Sequence, residues 1–238
     1  MSAFQRNQIE AALALRIGPA YKKQQTPERE KLPSGIPQVD AITGGLPTGA
    51  ITEIFGPASS GRTGFLFSAL REATRRQEVC ALIDANDTLD PISAQAAEID
   101  LERLLWVRCA GNLEHALRVT DLLLQGGGFG LLALDLGNTS AEKARAIPMT
   151  YWFRFRRAVE TSPAVFLIIG TEACAGTCAT LVLRTNKSNV VWAGGMDARL
   201  LCRMSFRVER QKPQASTCRG VGKSARLPPS ALPGDRAK

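Results

Sequence analysis

Short apolar segments alternate with segments of helical periodicity through the middle of the chain. Runs typical of strands cover residues 51–55, 79–84, 104–107, 129–135 and 165–169. Between them, apolar residues recur at helical spacing over residues 64–76, 93–97, 113–124 and 151–159. This alternation predicts an α/β fold in which a mostly parallel sheet carries helices on both faces.

Three further apolar runs follow with little helix between them. Residues 181–184, 190–192 and 202–208 predict short strands separated by turns. Strands that are joined without an intervening helix can pair antiparallel, whereas parallel pairing needs a longer crossover. We therefore expect an antiparallel C-terminal extension of the sheet.

The two ends of the chain differ in composition from the middle. Residues 5–17 predict a helix because apolar residues recur there every four positions, and a polar linker follows over residues 20–32. Beyond residue 210 the chain is rich in Pro, Ser, Arg and Gly, which is typical of disorder. The predicted organisation is an N-terminal helix and linker over 1–31, a core domain over 32–210 and a basic tail over 211–238.

Composition narrows the class of protein. The 238 residues are 45% hydrophobic and 22% charged, which fits one globular domain with extra segments at its ends. No apolar run is long enough to span a bilayer, and the N-terminus lacks the features of a signal peptide, so we expect a cytoplasmic protein with no membrane partner. Cys80 and Cys109 lie in apolar runs, which favours buried free thiols over disulfides.

Most of the net charge of +8 lies near the C-terminus. From Arg203 onward there are nine lysines and arginines and two acids. A basic tail attracts phosphate backbones, such as single-stranded DNA, or acidic protein surfaces without sequence specificity. A disordered segment that only keeps the chain soluble has the same composition, and the sequence favours neither interpretation.

A glycine-rich loop lies between the first long predicted strand and the helix that follows it. Its residues are Gly56, Pro57, Ala58, Ser59, Ser60, Gly61, Arg62 and Thr63. They resemble the P-loop pattern of Gly, four residues, Gly, Lys and Ser/Thr, whose backbone N–H groups surround a phosphate at a helix N-terminus. The predicted ligands are ATP and Mg²⁺. Thr63 supplies the hydroxyl for Mg²⁺, and Asp135, at the end of a later strand, supplies a carboxylate that holds Mg²⁺ through its bound water.

Arginine replaces the P-loop lysine at position 62. Lysine is a compact point charge, whereas arginine is a longer planar fork. Arg62 can still contact a phosphate, but we do not expect it between the terminal phosphates. The alternative, an ordinary Gly/Ser turn and an unrelated Asp135, is weaker because strand, loop and helix occur in the order that a P-loop requires.

The segments around this loop resemble bacterial RecA recombinases. They are LPSGIPQVD at 32–40, GGLPTG at 44–49, ITEIFGP at 51–57, LIDA at 82–85 and LDPI at 89–92. The resemblance is close from about residue 32 to residue 135 and weaker to about residue 210. It implies a RecA-like P-loop NTPase core. In recombinases the segment before the core docks on the neighbouring protomer. The N-terminal helix can accordingly dock on a second copy, as a homo-oligomer, or pack on its own core, and the sequence favours neither.

Several positions depart from the recombinase pattern. The resemblance places the glutamate that activates water at the position of Asn86, and an amide cannot act as a general base. The neighbouring Asp87 is a candidate substitute. Ser93 replaces the tyrosine that stacks on adenine, whereas Asp90 matches the aspartate that contacts adenine. Thr171 replaces the glutamine that senses the terminal phosphate.

The segment after Thr171 departs as well, since residues 172–179 form a short and nearly uncharged loop where recombinases contact DNA. We expect no counterpart of the recombinase C-terminal domain. Together these departures make the chain similar to the ImuA-type accessory proteins of SOS mutagenesis. That resemblance implies a role in translesion synthesis, with RecA-type or Y-family-polymerase-like proteins as partners.

Three functions stay open on the sequence. The first is a RecA-like accessory protein of the SOS response that binds ATP without efficient hydrolysis. The second is an active DNA-dependent ATPase in which Arg62 and Asp87 substitute for the missing groups, and the third is a nucleotide-free regulator such as a RecA-like division inhibitor. The replaced pocket residues argue against the second function, and the intact P-loop glycines and Thr63 argue against the third.

Aromatic residues and arginines alternate over residues 151–157. This pattern is found on surfaces that bind nucleic acids or proteins, by stacking and charge. It is equally typical of an amphipathic helix that buries Trp152, Phe155 and Val159 and exposes its arginines. We favour the second interpretation.

Overall fold

The computed structural model describes residues 30–193, 200–212 and 224–227. The helix predicted over residues 5–17 and most of the predicted tail lie outside the described residues. The strands are β1 Lys31–Leu32, β2 Leu46–Pro47, β3 Ala50–Phe55, β4 Cys80–Asp84, β5 Leu104–Arg108, β6 Leu131–Asp135, β7 Val165–Gly170, β8 Ala179–Ala193, β9 Leu200–Lys212 and β10 Ser224–Leu227. The helices are α1 Pro37–Thr43, α2 Arg62–Arg75, α3 Pro91–Ala96, α4 Leu113–Gly126, α5 Ala141–Arg145 and α6 Met149–Glu160.

Eight strands form one sheet in the order β10-β9-β8-β3-β7-β6-β4-β5. The six strands from β8 to β5 run parallel, and β9 and β10 continue the sheet antiparallel. All six residues of β7 are buried, as expected of a central strand covered on both faces. The predicted α/β architecture, a mostly parallel sheet with an antiparallel C-terminal extension, is confirmed.

Each face of the sheet has its own apolar core. On one face, Phe65 and Leu66 of α2 pack on Ile54 of β3. On the other face, Trp152 of α6 packs in a cluster with Ile51 of β3 and with residues of α4. Because successive side chains of a strand point to opposite faces, one short strand serves both cores.

Helix α6 buries one stripe and exposes the other. The side chains of Trp152, Phe155 and Val159 are fully buried, at the three- and four-residue spacing of a helix face. The rings of Trp152 and Phe155 meet edge to face with centroids 5.8 Å apart. Arg154 pairs with Asp121 of α4 at the surface. The predicted amphipathic packing of this helix is therefore confirmed.

The prediction of several short strands after residue 180 is wrong. Residues 181–184 and 190–192 belong to one strand, β8, of 15 residues, and 202–208 belong to β9, of 13 residues. The polar stretch between the two apolar runs stays extended because β9 pairs with it, and register shifts at three places accommodate the irregular sequence. A long hairpin therefore replaces the predicted short strands and turns.

Part of the predicted tail also has regular structure. Residues 211–212 complete β9, and β10 pairs with β9 in the register Ser224 to Glu209 through Leu227 to Phe206. Pairing with the edge strand satisfies backbone groups that composition alone assigns to irregular chain. The boundaries of the predicted core and tail remain predictions.

Candidate phosphate-binding site

The P-loop connects the carboxyl end of β3 to the first turn of α2. A side chain at Gly56 is sterically excluded, because its Cβ would lie 2.2 Å from the carbonyl oxygen of Thr185 and 2.7 Å from Ser60 Oγ. Gly61 has a φ of +92°, and a Cβ there would lie 2.6 Å from the ring of Phe206. Both P-loop glycines are therefore required by space, and the second also by its left-handed backbone.

A hydroxyl pair attaches the loop to the neighbouring strand β8. Ser60 is buried, and its Oγ lies 2.7 Å from Thr185 Oγ1. The Thr185 hydroxyl also lies 3.3 Å from the carbonyl oxygen of Phe55, to which it donates. Since a hydroxyl has a single proton, Ser60 is then the donor to Thr185. This chain of hydrogen bonds holds the loop in a curled conformation against the hairpin.

Arg62 contacts the segment that follows β6. Its side chain is buried, with 8% of the residue exposed, and Nη1 donates to the carbonyl oxygen of Gly137 at 3.3 Å. Burial lowers the pKa of its guanidinium, and the nearby carboxylate of Asp135 opposes that shift. The charge that replaces the P-loop lysine is thus engaged beside the end of β6.

Asp135 ends β6 within reach of this arginine. Its Oδ1 accepts a hydrogen bond from the N–H of Gly137 at 2.7 Å. Burial raises the pKa of its carboxyl group, which that hydrogen bond and Arg62 partly offset. Arg62, Thr63 and Asp135 line one cavity of about 100 Å³. The structure therefore brings the two predicted Mg²⁺ residues to the same cavity, although typical small-molecule pockets measure about 300–1,000 Å³.

A larger cavity, of about 490 Å³, lies at the opposite end of the parallel strands from the P-loop. Its lining includes Glu30, Arg76, Glu78 and Gly130, at the amino ends of the parallel strands. Ligands of open α/β sheets bind at the carboxyl ends of the strands. No predicted site residue lines this cavity, so we place the candidate site at the P-loop.

Comparison with known proteins agrees with this geometry. A family model for the RecA N-terminal domain matches residues 13–145. The chain belongs to the RecA family. The RecA protein of Bartonella quintana is 40% identical over 123 residues, which are 51% of this chain and 34% of that relative. The RecA protein of Brucella canis is 36% identical over 135 residues, which are 54% of this chain and 36% of that relative. The match thus spans about a third of the length of these RecA proteins.

The position at which the RecA resemblance places a catalytic glutamate is occupied by Asn86, whose amide is hydrogen-bonded to a neighbouring threonine. Asn86 Nδ2 donates to Thr139 Oγ1 at 3.1 Å, and the Asn86 N–H donates to Asp84 Oδ1 at 3.3 Å. The carboxylate of the buried Asp84 also accepts from the N–H of Leu89 at 2.9 Å and from the indole of Trp106 at 3.3 Å. Asn86 is therefore held in place by hydrogen bonds and offers no group that can take a proton from water.

Asp87, the candidate substitute for the catalytic glutamate, contacts residues at the end of β5, four strands away from β3. Its Oδ2 accepts from Arg108 Nη2 at 3.0 Å, and its Oδ1 accepts from the N–H of Ala110 at 3.1 Å. Arg108 ends β5, the edge strand, and Ala110 follows it, whereas the P-loop follows β3. These contacts argue against Asp87 as the general base of this RecA-family chain.

Asp90 serves as the N-cap of α3. Its carboxylate accepts from the N–H groups of Ile92 at 3.3 Å and Ser93 at 3.0 Å, and from the Ser93 hydroxyl. The hydrogen bonds from Ser93 lower the pKa of the exposed Asp90 carboxyl group. Asp90, which is predicted to contact adenine, thus binds Ser93, which occupies the position of the stacking tyrosine.

The segment after β7 is short, as predicted. Thr171 is followed by a single 3₁₀ turn, Gly176–Cys178, which leads directly into β8. Glu53 of β3 lies beneath this segment, where its Oε1 accepts from the N–H of Ala175 at 3.0 Å. Glu53 is almost fully buried, and its other oxygen finds no hydrogen-bond partner among the described residues.

Four residues at or near the site have no sequence motif that marks them: Thr185, Phe206, Thr139 and Glu53. Thr185 and Phe206 reach the P-loop only through the register of β8 with β3 and of β9 with β8. Their position near the loop depends on how the hairpin strands pair with β3, and the sequence around each residue does not encode that pairing. Among the described helices, none has both the length and the apolar character needed to cross a bilayer.

Proposed function

We propose that this chain is a RecA-like accessory protein of DNA repair that binds ATP with Mg²⁺ weakly and does not hydrolyse it efficiently. The observation that carries the proposal is the contrast within one site. The P-loop is shaped for a phosphate, whereas the position of the catalytic carboxylate holds Asn86, whose amide is bound to Thr139.

The shape of the loop supports phosphate binding. A Cβ at Gly56 or Gly61 would clash with neighbouring atoms, Gly61 also has a left-handed backbone, and the curled loop precedes a helix of 14 residues. A helix N-terminus with free N–H groups attracts phosphate. Thr63 and Asp135 offer the oxygen ligands that Mg²⁺ prefers, either directly or through water.

The adenine side of the site supports only weak binding. Asp90 caps its own helix, and Ser93 supplies no aromatic surface for stacking. Stacking of a base on an aromatic side chain is worth about 1–3 kcal/mol in proteins that bind single-stranded nucleic acids. The phosphates would therefore provide most of the binding free energy.

The catalytic side of the site supports slow hydrolysis. Asn86 carries an amide, which cannot take a proton from water, and Asp87 is paired with Arg108 and with the N–H of Ala110. Arg62 donates to Gly137 rather than into the loop. General base catalysis typically contributes about 10²–10⁴-fold to a rate, so its loss leaves a bound nucleotide long-lived.

A long-lived nucleotide state suits a switchable adaptor. We propose RecA-type or Y-family-polymerase-like proteins as partners in the SOS response and translesion synthesis, in keeping with the resemblance to ImuA-type proteins. Single-stranded DNA, through the basic tail, and a second copy of this chain are further proposed partners. A cytoplasmic location follows as part of the same proposal.

Titration calorimetry with Mg-ATP, combined with a hydrolysis assay with and without single-stranded DNA, tests the proposal. We expect binding with little turnover. Thr63→Ala should weaken Mg-ATP binding by about tenfold through loss of the Mg²⁺ ligand. Thr150→Ala is the matched control, since Thr150 is also exposed and is also the second residue of its helix.

Two other results would each select a different function. Fast hydrolysis stimulated by DNA would identify an active ATPase. Absence of binding would favour a nucleotide-free regulator. Two observations favour this second candidate: the cavity beside Thr63 is small, and the carboxylate of Asp90 caps helix α3.

A further inference from the structure

The β8–β9 hairpin continues past the end of β3 and lies alongside the P-loop. Strand β8 pairs with β3 as far as Arg184 and Phe55. Strand β3 ends there and the P-loop begins, so residues of β8 from Thr185 onward extend beyond the end of β3. Thr185 contacts the loop at Gly56 and at Ser60. The hairpin therefore forms one wall of the phosphate-binding site.

The next residue on the same face of the hairpin is a lysine. Side chains two positions apart in a strand share a face, so Lys187 lies on the face of Thr185, about 7 Å further along. Lys187 is the cross-strand partner of Phe206 in the register of β8 and β9. Partners in such a pair have Cβ atoms about 5 Å apart.

Phe206 locates this pair relative to the loop. Its ring lies so close to Gly61 that a Cβ there would come within 2.6 Å of it. Lys187 is therefore beside the residue that contacts the glycine preceding Arg62. Lys187 is exposed, and it makes no ion pair with another described residue, so its four-carbon stem is free to bring the ammonium group over the loop.

The loop needs such a charge. In P-loops the lysine reaches the terminal phosphates. Here Arg62 occupies that position in the sequence, but its guanidinium donates to Gly137 beside Asp135. We propose that Lys187 supplies the cationic contact to the terminal phosphate of a nucleotide bound in the P-loop, in place of the missing lysine. This inference rests on the proposed nucleotide binding.

Calorimetric titration of Lys187→Ala with Mg-ATP and with Mg-ADP tests the assignment. We expect the affinity for Mg-ATP to fall by about tenfold, because a charge-assisted hydrogen bond to phosphate is lost. The affinity for Mg-ADP should fall by less, since the contact is to the terminal phosphate. Lys187→Arg should retain much of the ATP affinity because it keeps the charge.

Arg207→Ala provides the matched control. Arg207 is an exposed cation of the same hairpin, but it pairs with Asn186 and so lies on the opposite face. We expect its variant to bind both nucleotides like the wild type. Unfolding midpoints in urea verify that every variant folds.

The outcomes separate this inference from the proposed function. If the wild type binds Mg-ATP and Lys187→Ala binds it equally well, the assignment of Lys187 is wrong and the proposed function stands. An equal loss for ATP and ADP, or an equal loss in Arg207→Ala, would also overturn the assignment, because it would indicate a general charge effect. If the wild type binds no nucleotide, the proposed function and this inference both fail.

Discussion

Phe206 of β9 packs its ring against Gly61 of the P-loop, although the two residues lie far apart in the chain. A Cβ added to Gly61 would come within 2.6 Å of the ring, and the φ of Gly61 is +92°. Space and backbone conformation thus impose glycine independently. The contact also makes the shape of the P-loop depend on the hairpin that follows the core of the sheet.

Gly61→Ala should therefore destabilise the protein. We expect the free energy of unfolding to fall by about 1–3 kcal/mol, from the left-handed backbone and the clash together. Urea unfolding monitored by circular dichroism measures this. Gly64→Ala is the control, because nothing lies within 4 Å of a Cβ at Gly64. In the first turn of α2 that exchange should stabilise by up to about 1 kcal/mol, because alanine loses less backbone entropy than glycine on folding.

A second variant separates the two causes of this destabilisation. Phe206→Ala removes the ring, so adding Gly61→Ala to it should cost less than adding Gly61→Ala to the wild type. An equal cost in both backgrounds would mean that backbone strain alone requires glycine at position 61.

Restoring the missing groups should raise ATP hydrolysis. The double variant Arg62→Lys with Asn86→Glu returns a compact cation to the loop and a proton acceptor to the end of β4. We expect a rate increase of about 100-fold, within the range of general base catalysis. Arg62→Lys with Asn86→Gln is the control, since glutamine matches the size of glutamate but accepts no proton. Unchanged hydrolysis in a variant that still binds Mg-ATP would contradict this account of the site.

Asp90 should make the stability of α3 depend on pH. The hydrogen bonds from Ser93 lower the pKa of its carboxyl group below the unfolded value of about 3.9. A lowered folded-state pKa means that the stabilisation is present above about pH 4 and is lost as the pH falls through the folded-state pKa. Asp90→Asn keeps a capping oxygen but cannot titrate, so its loss of stability between pH 5 and pH 3 should be smaller.

Urea midpoints measured at several pH values over that range test the cap. Asp100→Asn serves as the control, because Asp100 also caps a short helical turn and its exchange removes the same charge. If Asp90→Asn and the wild type lose stability equally on acidification, the carboxylate of Asp90 does not stabilise α3 in the folded state.

The strands of the parallel core could be predicted because their signals are local. Strands β4, β6 and β7 are apolar runs whose buried residues follow one another directly in the sequence, and turn residues bound them. The P-loop could be identified for the same reason, since its eight residues are consecutive and lie between a strand and a helix. The position of Asp135 at the end of β6 followed from the length of its apolar run.

What surrounds the loop was decided by long-range pairing. Ser60 and Thr185 are 125 positions apart, and they meet only because β8 pairs with β3 in one particular register. The same pairing extends β8 and β9 through polar residues whose local preference is for turns. A shift of one residue in the pairing of β8 with β3, with β9 carried along, would turn Lys187 and Phe206 to the opposite face.

The sequence by itself thus determined the order of strands and helices, the phosphate loop and the replacement of the catalytic glutamate by Asn86. Only the tertiary structure decided that Arg62 binds Gly137, that Asp87 binds Arg108 and that Phe206 covers Gly61. The physical reason is that secondary structure depends on patterns within about ten residues, whereas the direction of a long side chain depends on partners that folding alone brings near.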